Sequence, residues 1–151
     1  MLRQAFADRL KEAMKARDPR TTSAVRMILA GLKERDVAAR TQGNTEGLSD
    51  DQIRQMLQTM IKQRRESIAL YEKGKRADLA GQEREEIAVI ESFLPRQLDD
   101  AETEAIAKAA IAETGAANIR DVGKVMAALR KRYPGAIELG RAAGIVRRLL
   151  G

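Results

Sequence analysis

Residues 49–74 read SDDQIRQMLQTMIKQRRESIALYEKG, and this stretch decides the fold class. Ser49 followed three residues later by Gln52 forms a capping box, in which two side chains satisfy backbone N–H groups left open at a helix start. Behind it Ile53, Met56, Leu57, Met60, Ile61, Ile68 and Tyr71 recur at three- and four-residue steps and trace one apolar stripe. The stripe predicts an amphipathic helix of about 20 residues, which Gly74 breaks.

The same periodicity extends in both directions. Leu2, Phe6, Leu10, Ala13 and Met14 share a face of a first helix running to about Ala16, which Asp18-Pro19 ends. Thr21 or Thr22 is placed to cap a second helix carrying Val25, Ile28, Leu29 and Leu32 to about Arg40; Gly43 and Gly47 then mark a loop, with 41–48 expected to be mobile. Asp78 is placed to start a fourth helix with Ala80, Ile87, Ile90 and Leu94, stopped before Pro95.

Asp99 and Glu102 form a second capping box ahead of Ile106, Ala110 and Ile111, and Gly115 closes that helix. Asp121 starts another with Val122, Val125, Met126 and Leu129 inward. After Tyr133-Pro134-Gly135 a last helix buries Leu139, Ala142, Ala143, Val146, Leu149 and Leu150. The expected architecture is all-α, with a multi-helix N-terminal domain over 1–95 and a small, basic three-helix C-terminal domain over 96–151.

Composition narrows the chemistry. The chain has no cysteine and no histidine, which excludes thiolate nucleophiles, Ser-His and Cys-His pairs and the usual zinc sites together. Glu83, Glu85, Glu86 and Glu91 lie near Arg64, Arg65, Lys73, Lys75 and Arg76 in sequence, but opposite charges at helical spacing are ordinarily surface pairs rather than acid–base machinery. The reading is a chain without catalytic residues, metal or cofactor of its own. No apolar run approaches the roughly 20 residues that cross a bilayer. Residues 2–17 are basic and amphipathic, yet Asp8 and Glu12 argue against a transit peptide. A soluble, cytoplasmic protein is expected, with no membrane partner.

The net charge of +6 is unevenly distributed along the sequence. Residues 1–115 carry 20 Lys or Arg against 20 Asp or Glu, whereas 116–151 carry 8 against 2. Such a basic segment is the footprint of a polyanion partner, with nucleic acid foremost, or else a solvated helical face. Helical spacing puts Arg120, Lys124 and Lys131 on one face of the sixth helix and Arg141 and Arg148 on one face of the seventh. Lys124 follows Gly123 at a helix start, where open amides favour an anion, unless Gly123 only lets two helices approach. Gly140 and Gly144 read as packing positions.

The stretch from Gln63 to Leu98, with Lys75-Arg76-Ala77-Asp78-Leu79-Ala80, Glu83, Glu86, Ile90 and Phe93-Leu94-Pro95-Arg96-Gln97-Leu98, resembles the core of the GatB/YqeY family, in particular its stand-alone YqeY-like members. Asp121-Val122-Gly123-Lys124-Val125-Met126, about 28 residues beyond the FLPRQL element, and Tyr133-Pro134-Gly135 through Leu150 are similar to the family's second signature. The resemblance implies a multi-helix domain joined to a three-helix domain, the pair that forms the tail of the B subunit of the tRNA-dependent amidotransferase. That enzyme, a carbon–nitrogen ligase with glutamine as amide donor, amidates misacylated glutamyl- or aspartyl-tRNA, and its tail engages the tRNA. The stand-alone members lack the subunit's catalytic domain, so the implied role is accessory. By the same resemblance Gly123, Lys124, Gly135 and Arg141 are RNA-facing. This chain departs from the family in placing Ala136-Ile137 between Gly135 and Glu138.

Together these readings nominate Gly123, Lys124, Lys131, Arg141 and Arg148 as nucleic-acid-binding residues and tRNA or another structured RNA as partner. A DNA-binding helix-turn-helix fits poorly, because six residues separate the last two helices and the turn Glu138-Leu139-Gly140-Arg141 offers few base-reading side chains. A helical adaptor with a protein partner and no nucleic acid is the alternative.

Overall fold

A computed structural model describes residues 1–151. The chain is all-α, with seven helices: α1 (Leu2–Lys15), α2 (Pro19–Thr41), α3 (Asp50–Lys73), α4 (Ala77–Glu91), α5 (Asp100–Thr114), α6 (Val122–Arg132) and α7 (Leu139–Leu150), and a 3-10 turn, Ile119–Asp121, before α6. It forms two compact units, Met1–Leu94 and Pro95–Gly151. No helix is long and apolar enough to cross a membrane.

In the first unit α3 packs along α4, α1 on α2, and α2 on α4. Phe6, Val25, Ile28, Leu32, Ile53, Met56, Leu57 and Ile90 fill its core, each large side chain contributing about 1.5–3 kcal/mol by burial. Phe6 and Phe93 meet edge-to-face, centroids 4.8 Å apart, and the Arg9 guanidinium lies 4.8 Å above the Phe93 ring.

The capping box of Ser49 and Gln52 is present in both directions. Several expectations fail in this unit. Asp18, rather than Thr21 or Thr22, caps α2: its carboxylate accepts from the Thr21 amide and hydroxyl, which hold its pKa below the ordinary value, hydroxyl foremost. Pro19 thereby begins a helix instead of ending one, since its fixed φ suits the first turn. Asp78 is not the N-cap of α4 but lies in its first turn, where it receives both ends of the Arg76 guanidinium. Met14 stays 53% exposed, beyond the edge of the face that Phe6 and Ala13 bury.

The loop at 41–48 is tied down. Asn44 accepts from the amides of Glu46 and Gly47 and donates to the Gly47 carbonyl. Asp36 receives a two-pronged bond from Arg3 and a third from the Leu48 amide, and Arg3 also donates to the Leu48 carbonyl. The left-handed φ of +85° at Gly47 disfavours any other residue, and a Cβ there would run into the Arg3 and Asp36 side chains.

One charge is buried. Arg64, 7% exposed, stands on the apolar stripe of α3 and donates from Nε to Glu86 at 3.0 Å and from Nη1 to the Met60 carbonyl at 3.3 Å. Glu83 lies 3.8 Å from the same Nε. Burial raises the Glu83 pKa first and the charge of Glu86 adds to it, against the pull of Arg64.

The second unit packs α5, α6 and α7 mutually around Ala107, Ala110, Val125, Leu129, Ile137, Ala142 and Val146. The Asp99–Glu102 capping box forms, and Gly115 takes the left-handed φ of 69° that closes α5. Asp121 does not cap α6 by its side chain. Asn118 caps the 3-10 turn one step earlier, and Asp121 reaches back to it. The link is closed by Gln97 donating to the Gly135 carbonyl at 2.6 Å and the Leu98 amide donating to Ala136 at 2.8 Å.

Candidate nucleic-acid interface

The charge segregation changes once the helices are assembled. Residue 115 is not a unit boundary, and α5 brings Asp99, Asp100, Glu102, Glu104 and Glu113 into the same unit as the basic segment. Counted by unit, Pro95–Gly151 carries 10 Lys or Arg against 7 Asp or Glu, and Met1–Leu94 carries 18 against 15. Each unit has an excess of +3.

Within Pro95–Gly151 the cations fall into two groups. Arg141 Nε lies 3.3 Å from Asp100, Arg148 lies 3.3 Å from Glu104, and Arg132 pairs with Glu113. Three arginines from α6 and α7 thus face carboxylates of α5. Glu104 also receives Lys108 at 3.5 Å, and its pKa falls, first through the bond from Arg148 and then through the charges of Arg148 and Lys108. Arg120, Lys124, Lys131 and Arg147 are exposed, and no carboxylate lies within ion-pair distance of them.

Of the five nominated residues, Gly123, Lys124 and Lys131 lie on the exposed side of α6, while Arg141 and Arg148 lie together on the side of α7 that faces α5. Arg120 belongs to the 3-10 turn, not to the sixth helix. Gly151 sits beside the Ile119 side chain, so the end of α7 that carries Arg147 reaches the turn that carries Arg120.

The glycine readings are corrected. A Cβ at Gly123 or Gly144 would meet nothing within 4 Å, so neither glycine serves helix packing within the chain. At Gly140 the nearest group is the Glu138 carboxylate that caps the same helix. Gly135 serves the fold directly, because its φ of 75° turns the chain and its carbonyl receives Gln97.

The start of α7, a natural seat for phosphate, is already filled from within. Glu138 accepts from the amides of Gly140 at 3.0 Å and Arg141 at 2.6 Å. Asp121 accepts from Ala117 at 2.8 Å, which with the Asn118 amide and the charge of Lys124 holds its pKa below the ordinary value. The departure at Ala136-Ile137 has a purpose here. Ile137 is 2% exposed in the core and sets Glu138 one step later as the cap. At α7 this unit therefore presents long cationic side chains rather than open backbone amides.

Sequence reasoning missed Arg147 and the α5 carboxylates. The signal for the carboxylates was Asp100 and Glu104, four apart on one face of α5, opposite Arg141 and Arg148, seven apart on one face of α7.

Residues 3–150 match the family described as Yqey-like protein. Over 85 residues the chain is 33% identical to "Altered inheritance of mitochondria protein 41, mitochondrial" of Lachancea thermotolerans, covering 56% of this chain and 43% of that protein. The protein of the same name in Vanderwaltozyma polyspora is 31% identical over 85 residues, covering 56% and 44%. The match spans less than half the length of these curated relatives.

Proposed function

The chain belongs to the YqeY-like family, and from that membership we propose that it is a non-catalytic accessory protein that binds tRNA or another structured RNA through Pro95–Gly151. The observation that carries the reading is the set of exposed cations with no carboxylate at ion-pair distance, Arg120, Lys124, Lys131 and Arg147, spread over the 3-10 turn, α6 and α7. Cations on flexible stems contact phosphates and release counterions, which gives affinity without base readout. Tyr133 is the unit's only aromatic side chain and packs against its core, so no stacking platform for unpaired bases is on offer. Folded, duplex-rich RNA fits this surface better than single strands.

The resemblance to the tail of the amidotransferase B subunit supports tRNA as the specific partner and an auxiliary role in amidation as the context. With misacylated tRNA, glutamine and ATP, the protein alone is expected to form no glutaminyl- or asparaginyl-tRNA. Anisotropy titrations of labelled tRNA, a duplex and a single strand test the binding itself. Comparable affinity for tRNA and duplex with weaker single-strand binding supports the reading; no binding of any RNA at about 50 mM salt, where phosphate contacts are strong, refutes it.

A second reading, a protein adaptor, rests on exposed apolar side chains in the first unit: Met27 at 45%, Val37 at 54% and Leu70 at 68%. Loss of a partner after Val37→Asp, with RNA binding absent, favours it. The proposed compartment is the cytoplasm, although the curated relatives carry "mitochondrial" in their names. Cell fractionation decides between the two compartments.

A further inference from the structure

Three of the basic segment's arginines are already answered by acid. Arg132, Arg141 and Arg148 pair with Glu113, Asp100 and Glu104, and all three carboxylates belong to α5. The pairs follow one order along both helices: Asp100 with Arg141 near the start of each, then Glu104 with Arg148. All six side chains are partly or well exposed, the least so being Glu104 at 33%. Pairs of this kind contribute little to stability, because water and salt screen them. They are equally easy to open. A phosphate that approaches Arg141 or Arg148 meets a guanidinium whose charge is shared with a carboxylate, and it must displace that carboxylate or lie beside it against like-charge repulsion.

We propose that α5 acts as an electrostatic gate on the RNA surface: Asp100, Glu104 and Glu113 hold Arg141, Arg148 and Arg132 in place of phosphates and lower the affinity for polyanions. The proposal rests on the RNA-binding reading and adds regulation to it. Arg120, Lys124, Lys131 and Arg147 form the standing surface, and the paired arginines join only when an RNA fits closely enough to exchange phosphate for carboxylate. A loose polyanion gains less from that exchange, because each released carboxylate recovers a counterion and reduces the net counterion release that drives binding.

The test is an anisotropy titration of labelled tRNA against the full chain in three forms: wild type, Asp100→Asn/Glu104→Gln/Glu113→Gln, and a control of equal charge change, Glu12→Gln/Glu34→Gln/Glu66→Gln, at exposed positions of the first unit. Freeing three exposed pairs is expected to tighten binding by roughly three- to thirtyfold at low salt. The salt dependence should also steepen, by about 0.7 in log–log slope for each arginine engaged. The control should shift affinity by less than about twofold, since its carboxylates belong to the other unit and pair with none of these arginines. Adding Arg141→Gln and Arg148→Gln to the triple variant should abolish most of the gain.

Equal gains in the two triple variants, or a gain that survives loss of both arginines, would overturn the gate and assign the effect to net charge alone. Binding by the wild type with no gain in the triple variant overturns the gate but leaves the RNA reading standing. No binding by any form overturns both. If the triple variant loses helicity by circular dichroism, Glu104→Gln alone carries the test; it lies outside the α5 cap and should give a gain of roughly twofold.

Discussion

The two units solve the same problem with different materials. Of the fourteen buried apolar residues in Met1–Leu94 three are alanine and the rest are Phe, Ile, Leu, Met and Val, whereas three of the seven in Pro95–Gly151 are alanine. Alanines bring α5 close to its neighbours but bury little apolar area, and about 57 residues is near the lower limit for a domain folding unaided. The first unit has the larger apolar core and the second the thinner one.

The largest effects that would break this comparison are in the cores. Phe6→Ala removes a fully buried ring and its contact with Phe93 and should cost about 3–5 kcal/mol, read as a lower urea midpoint for the first unit. Leu129→Ala, at about 2–5 kcal/mol, should unfold the second unit near ambient temperature while a separate transition of the first persists. One cooperative transition that moves with both variants would show that the units share their stability.

Arg64→Ala leaves Glu83 and Glu86 without their buried partner and should cost about 3 kcal/mol. Adding Glu86→Gln should recover part of the loss, and a double-mutant cycle by chemical denaturation measures how much. Ser49→Ala removes the α3 cap, at about 1 kcal/mol, and should lower the first transition alone.

Acid sharpens the contrast most gently. The bond from Arg96, together with the Asp99 amide, lowers the Glu102 pKa from 4.5 to about 2. A carboxylate depressed on folding stabilises the fold fully above its unfolded pKa and loses that contribution as pH falls through the folded one. The α5 cap should therefore support the second unit in full above about pH 4.5 and not at all below about pH 2. Glu102→Gln should flatten that acid limb in a pH series of thermal melts, and an unchanged limb would remove Glu102 from the account.

Much of this fold was legible. The stripe from Ile53 to Ile61, both capping boxes and the glycine at 115 are local signals, each fixed by spacing or by a φ that few residues adopt. Arg64 was legible in principle, since it interrupts an apolar stripe at a core position, but its carboxylates come from another helix. The ends were less so. Lys75, not Gly74, takes the left-handed φ of 57° after α3, because the surrounding hydrogen bonds decide which residue turns. The candidate site suffered most. A sequence shows charge in one dimension while screening acts in space, and nothing local to Arg141 or Arg148 announces Asp100 and Glu104.

The most direct measurement is tRNA affinity against salt for Lys124→Glu/Lys131→Glu beside Lys33→Glu/Lys62→Glu, both doubles at exposed positions with equal charge change and with helicity matched by circular dichroism. The account predicts that the first double lowers affinity by tenfold or more and makes the log–log slope shallower by about 1.4–1.8, the share of two phosphate contacts, while the second changes both only slightly. Equal losses from the two doubles, or tRNA binding that ignores salt, would contradict a binding surface on the second unit.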